Sequence, residues 1–96
     1  MVVEYLTFSV TTAERTAWLA VEESTWSRFL KQQPGFIRKQ LWVDRDRPDE
    51  VVAVIWWQDF ESWQSISADQ VERVDRSMGP WLRHGTCRTM DLIFDC

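Results

Sequence analysis

An α+β domain built on one four-stranded antiparallel sheet is what this sequence predicts, and three observations predict it. Segments with apolar–polar alternation of period two lie at both ends and in the middle of the chain. Two segments of helical spacing separate them, each preceded by a capping box and closed at a Pro–Gly or Gly–Pro pair. The resulting order is β-α-β-β-α-β. Right-handed crossovers and short connections make this a split β-α-β, ferredoxin-like sheet, with strand order 4-1-3-2 and both helices on one face. The 96 residues form a single domain, 1–96.

The first strand is read from Val2 to Val10. Val2, Glu4, Leu6, Phe8 and Val10 share one face, and Val3, Tyr5, Thr7 and Ser9 the other. Thr11 and Glu14 form a capping box. The helix that follows runs to about Gln33, with Trp18, Val21, Thr25 and Phe29 on one stripe and Leu19, Trp26 and Leu30 beside it. Arg15, Glu22 and Glu23 are expected to face water. Pro34-Gly35 stops the helix.

Strand two is expected over Phe36–Asp44 and strand three over Val51–Trp57, joined by the polar loop from Asp44 to Glu50. A symmetric loop pairs Trp42 with Val52 and Arg38 with Trp56. Asp59 caps a short turn through Phe60, Trp63 and Ile66. Ser67 and Gln70 form a second capping box, with Ile66 and Val71 as its hydrophobic staple. Val71, Val74 and Met78 give this helix its apolar edge. Trp81 to Gly85 connects to a last strand over Thr86–Asp95.

Composition excludes several classes of function. Net charge is −4 and the Lys and Arg residues are scattered, so nucleic acid is not an expected partner. Nothing approaches the ~20 apolar residues of a membrane helix. Met1–Tyr5 has neither a basic region nor a long apolar run, so no signal peptide is expected. Cys87 and Cys96 are too far apart on one strand to bridge, which points to free thiols in a reducing, cytoplasmic compartment. No metal site and no cofactor motif is present.

Helices on one face leave the other face of the sheet unprotected. One face of the central hairpin holds Ile37, Leu41, Val43, Val51, Ala53, Ile55 and Trp57, expected against the helices. The opposite face holds Phe36, Trp42, Val52, Val54 and Trp56, with Arg38 and Gln40 among them. Five such side chains in water would forfeit roughly 1.5–3 kcal/mol each. A two-fold homodimer covering them is the expected solution. Arg38, Trp42, Val54, Trp56 and Glu4 are assigned to that interface, with Glu4 and Arg38 as a salt bridge.

Val3-Glu4-Tyr5-Leu6, Gln33-Pro34-Gly35-Phe36 and the run Val54-Ile55-Trp56-Trp57-Gln58-Asp59-Phe60-Glu61-Ser62-Trp63 resemble the antibiotic-biosynthesis-monooxygenase-like superfamily. The resemblance implies a dimeric α+β barrel with a cavity in each subunit between sheet and helices. Members include cofactor-independent oxygenases of aromatic polyketides, haem degraders and proteins with no established activity. The haem degraders use an Asn, a Trp and a ligating His, and the polyketide oxygenases an Asn and a Trp. This chain has no Asn. Its one histidine, His84, falls in a surface connector and makes no nucleophilic triad.

Seven Trp residues in so short a chain are unusual. Trp18, Trp57 and Trp63 are the candidates to line a pocket for a small apolar or aromatic ligand. A buried Glu4 would have a raised pKa and could act as a base. The expected function is a homodimeric small-molecule-binding protein resembling cofactor-independent monooxygenases. The alternative is a non-catalytic dimeric accessory module whose core its own indoles fill.

Overall fold

A computed structural model describes all residues, 1–96. The elements are β1 (Val2–Ser9), α1 (Arg15–Glu22), a π-helical turn (Glu23–Ser27), α2 (Arg28–Leu30), β2 (Phe36–Asp44), β3 (Arg47–Trp57), α3 (Phe60–Gln64), α4 (Ala68–Ser77) and β4 (Thr86–Asp91). The sheet runs β2-β3-β1-β4, every pair antiparallel, which is the expected topology. Trp42 pairs with Val52 and Arg38 with Trp56, as the hairpin register predicts.

Several details differ from the sequence reading, each for a local reason. Strand β3 starts at Arg47, so the hairpin turn is Arg45-Asp46, pinned by the Asp46 N–H donating to Asp44 Oδ1 at 2.8 Å. Pairing survives there through an irregularity between Val43 and Asp44. A second irregularity between Phe36 and Arg38 turns Phe36 to the helix side, edge-on to Trp57 at 5.9 Å, and leaves Ile37 exposed. Phe36 therefore takes the face opposite to the one that strict alternation assigns it. Strand β4 ends at Asp91, opposite Val2 at the start of β1, and one further bond, from the Leu92 N–H to the Met1 carbonyl at 3.1 Å, follows it.

The largest difference is in the first helical segment. The stripe facing the sheet is Trp18, Glu22, Trp26 and Leu30, spaced by four throughout, with Trp18, Glu22 and Leu30 buried. In an α-helix such a stripe drifts by about 40° per step. The wide π turn at Glu23–Ser27 takes up part of that drift. Its cause is local: Thr25 Oγ1 and Ser24 Oγ both donate to the Val21 carbonyl, at 2.7 and 3.1 Å, and compete with the backbone ladder. Glu22, expected in water, ends α1 one turn after Trp18 and is buried on the same stripe.

The core lies between sheet and helices in two clusters. One joins Val10, Trp18, Val51 and Met78. The other joins Leu30, Ile55 and Trp57, with Trp26, Phe29, Phe36, Trp63 and Ile66 packed on it. Gly35, at φ +81°, makes the turn from α2 into β2 and lies against Ser62 so closely that a Cβ would collide with that side chain.

Candidate functional site

Between the two clusters the layers do not close. The register aligns Ala53, Leu6 and Cys87 across β3, β1 and β4, so two small side chains flank Leu6 on the sheet floor. Above them stand Trp26 and Leu30 from the first helical segment, Trp63 and Ile66 from α3 and its exit, and Val71 and Asp75 from α4. The open space between them is about 420 Å³, within the range of small-molecule sites. Arg83, His84 and Gly85 form its rim.

The next row of the floor is polar. Lys39, Ile55, Glu4 and Thr89 align across β2, β3, β1 and β4, and both Lys39 and Glu4 line the cavity. Glu4 Oε1 accepts the indole N–H of Trp57 at 3.1 Å. Burial pushes the Glu4 carboxyl above the ordinary range, while the Trp57 bond and the Lys39 charge pull it back in part. Lys39 Nζ donates to Glu22 Oε1, and the two side chains are 7% and 6% exposed. Burial brings Lys39 down to about 8, with Glu4 opposing. The Glu22 carboxylate in contact favours the ammonium as well, so Lys39 is charged at neutral pH.

On the helical side of the cavity one hydrogen bond ties the first helical segment to α4: Trp26 Nε1 donates to Asp75 Oδ1 at 2.9 Å. Cys87 on the floor is pushed up by burial, then by the Glu4 charge, so it is a poor nucleophile at neutral pH. No group of three or more His, Cys, Asp or Glu side chains is placed to hold a metal ion.

Of the indoles assigned to a pocket, Trp63 stands in the cavity wall. Trp18 and Trp57 do not: they are 1% and 0% exposed, packed in the two core clusters. Trp57 reaches the site only through its N–H on Glu4. Sequence reasoning misses Trp26 and Lys39 as lining residues. The signal for Lys39 is present all the same, since it lies between Ile37 and Leu41 in the alternation.

The expected interface residues divide. Arg38, Trp42, Val54 and Trp56 share the face away from the helices, where the Arg38 guanidinium stacks over Trp56 at 4.6 Å and Trp42 meets Trp56 edge-on at 6.2 Å. Val54 is already covered within one chain, and Trp42 is 48% exposed. Glu4 belongs to the other face, with Val2, Leu6 and Phe8, so it makes no salt bridge with Arg38; the two lie on opposite sides of the sheet.

The first 68 residues match the family model for antibiotic biosynthesis monooxygenase. The chain belongs to that family. Solved structures share its fold across nearly the whole chain. A cofactor-independent oxygenase from Streptomyces nogalater, SnoaB in a single-residue mutant form, is 21% identical with a TM-score of 0.76, covering 98% of this chain and 94% of its own. A monooxygenase from the gene ActVA-Orf6 of Streptomyces coelicolor, in complex with the ligand nanaomycin D, is 15% identical with a TM-score of 0.79, covering 99% and 89%. A conserved protein from Methanosarcina mazei Go1 is 14% identical with a TM-score of 0.70, covering 93% and 89%. At these identities the likeness is one of fold. No curated protein matches the chain in sequence. No helix of this family member is long and apolar enough to cross a membrane.

Proposed function

We propose that the chain is a homodimeric, small-molecule-binding member of the family, acting in the cytoplasm, that takes a small apolar or aromatic molecule between its sheet and helices. The observation that carries this reading is the open space of about 420 Å³, walled by Trp26, Leu30, Trp63 and Ile66 and ending in Glu4 and Lys39. Apolar walls with a few convergent polar groups are the usual makeup of a ligand site. A core filled by its own indoles, as an accessory module would have, leaves no such space. The Streptomyces coelicolor neighbour was solved with a bound ligand, which supports ligand binding as a use of this architecture. Two copies meeting through Trp42, Trp56 and Arg38 would cover the apolar side of the sheet.

Native mass spectrometry of the purified protein, followed by titration with 2-naphthol read by indole fluorescence, tests the reading. A co-purified small molecule, or saturable quenching that Trp63→Ala weakens, supports it. Absence of both, with the protein folded, removes it.

A further inference from the structure

The polar end of the cavity has hydrogen-bonding capacity to spare, and its meaning rests on the cavity being a ligand site. Trp57 holds one oxygen of the Glu4 carboxylate and leaves the second without a partner in the chain. Glu22 takes one of the three protons of the Lys39 ammonium. Both residues line the same cavity, on the strands either side of Ile55. Each group is held in place by one partner and keeps further hydrogen-bonding capacity for a ligand that enters this space.

We propose that Glu4 and Lys39 form a proton-abstracting pair: Glu4 takes a proton from an aromatic ligand, and Lys39 holds the negative charge that develops on its oxygen. A carboxylate raised by burial is a stronger base, better matched to neutral pH than an exposed one. An ammonium beside developing oxyanion charge lowers the barrier further. The charged and titratable groups facing Glu4 are Lys39 on β2, Asp75 on α4, Arg83 and His84 at the rim and Cys87 on β4, with Glu22 behind Lys39. Asp75 is likewise held at one oxygen by Trp26, and Arg83 contacts Glu14 as Lys39 contacts Glu22. Glu4 and Lys39 are set apart by their shared row on the sheet floor, where the Lys39 charge acts on the Glu4 carboxyl.

The probe is 5-nitro-1,2-benzisoxazole, a planar aromatic that opens when a base removes its C3 proton. The C–H electron pair becomes the third bond of a nitrile, the N–O bond breaks, and its pair remains on oxygen as 2-cyano-4-nitrophenolate. Glu4 then returns the proton to water, so no oxidant or reductant enters. The expected result is saturable turnover to the yellow product, with kcat rising through one ionisation above the ordinary carboxylate range. Glu4→Gln should lose about a hundredfold while still quenching indole fluorescence on probe addition, and Lys39→Met should lose rate with the base intact. Unchanged turnover in Glu4→Gln, with probe bound, overturns the pair and leaves the cavity reading standing. No quenching by the probe in the wild type removes the cavity reading and this inference with it. If Glu4→Gln does not fold, Trp57→Phe serves: losing the N–H donor should move the pH midpoint upward, and an unmoved midpoint overturns the assignment.

Discussion

Replacing Glu22 by Gln should destabilise the protein by about 3–5 kcal/mol. The side chain is isosteric, so no cavity forms; what disappears is the counter-charge of Lys39. Both side chains are nearly sealed, at 7% and 6% exposure, which places the contact among buried pairs rather than surface ones worth about 0–1 kcal/mol. The loss also has a ceiling. A lysine that ordinarily titrates near 10.5 can shed its proton at pH 7 for about 5 kcal/mol, and the folded variant would do so once holding the charge costs more. Urea denaturation at fixed protein concentration should show a midpoint lower by roughly 2 M. The penalty should shrink as pH rises toward about 10, since the unfolded lysine then loses its proton too. Glu22→Leu combined with Lys39→Met should return to within about 1 kcal/mol of the wild type. A loss below about 1 kcal/mol for Glu22→Gln, with no recovery in the double variant, would mean that Lys39 does not depend on Glu22 for its counter-charge.

Trp56→Glu places a charge on the face shared with Trp42 and Arg38, and sedimentation should then show monomers or aggregates; wild-type dimers would count against that face. Glu4→Gln should alter the pH dependence of stability. Because the folded Glu4 is raised, its contribution is present below about 4.5 and is lost as pH rises through the folded value. The variant should lack that loss, so parallel stability curves of wild type and variant between acid and neutral pH would contradict the assignment. Gly35→Ala should cost about 1–3 kcal/mol from the positive φ alone, and more from the collision with Ser62, read as a lower Tm.

The fold is legible in the sequence because each of its signals is local. Period-two alternation and the capping box at Ser67 depend on residues within a few positions of one another, and the hairpin register on one short connection. The Ser67 box forms as expected, its hydroxyl accepting from the Gln70 N–H at 3.2 Å and its own N–H donating to Gln70 Oε1 at 2.9 Å. The site is less legible, because two breaks in periodicity lie around it. The irregularity at Phe36 turns that ring onto the core beside Trp57, and the π turn keeps Trp26 on the stripe of Trp18 and Glu22. Neither follows from propensity. Charge alone puts Glu22 in water, whereas its partner Lys39 comes from a strand 17 residues later. Ring size alone makes Trp18 and Trp57 pocket candidates, yet packing against Phe8 and Phe36 encloses them.

The seven indole N–H groups report whether the space between sheet and helices receives a ligand. In a 15N-resolved NMR titration with 2-naphthol, the indole signals of Trp26, Trp57 and Trp63 should shift together and saturate, while Trp42 and Trp56 stay in place. Saturable shifts confined to Trp42 and Trp56, or none at all, would contradict ligand binding in that space.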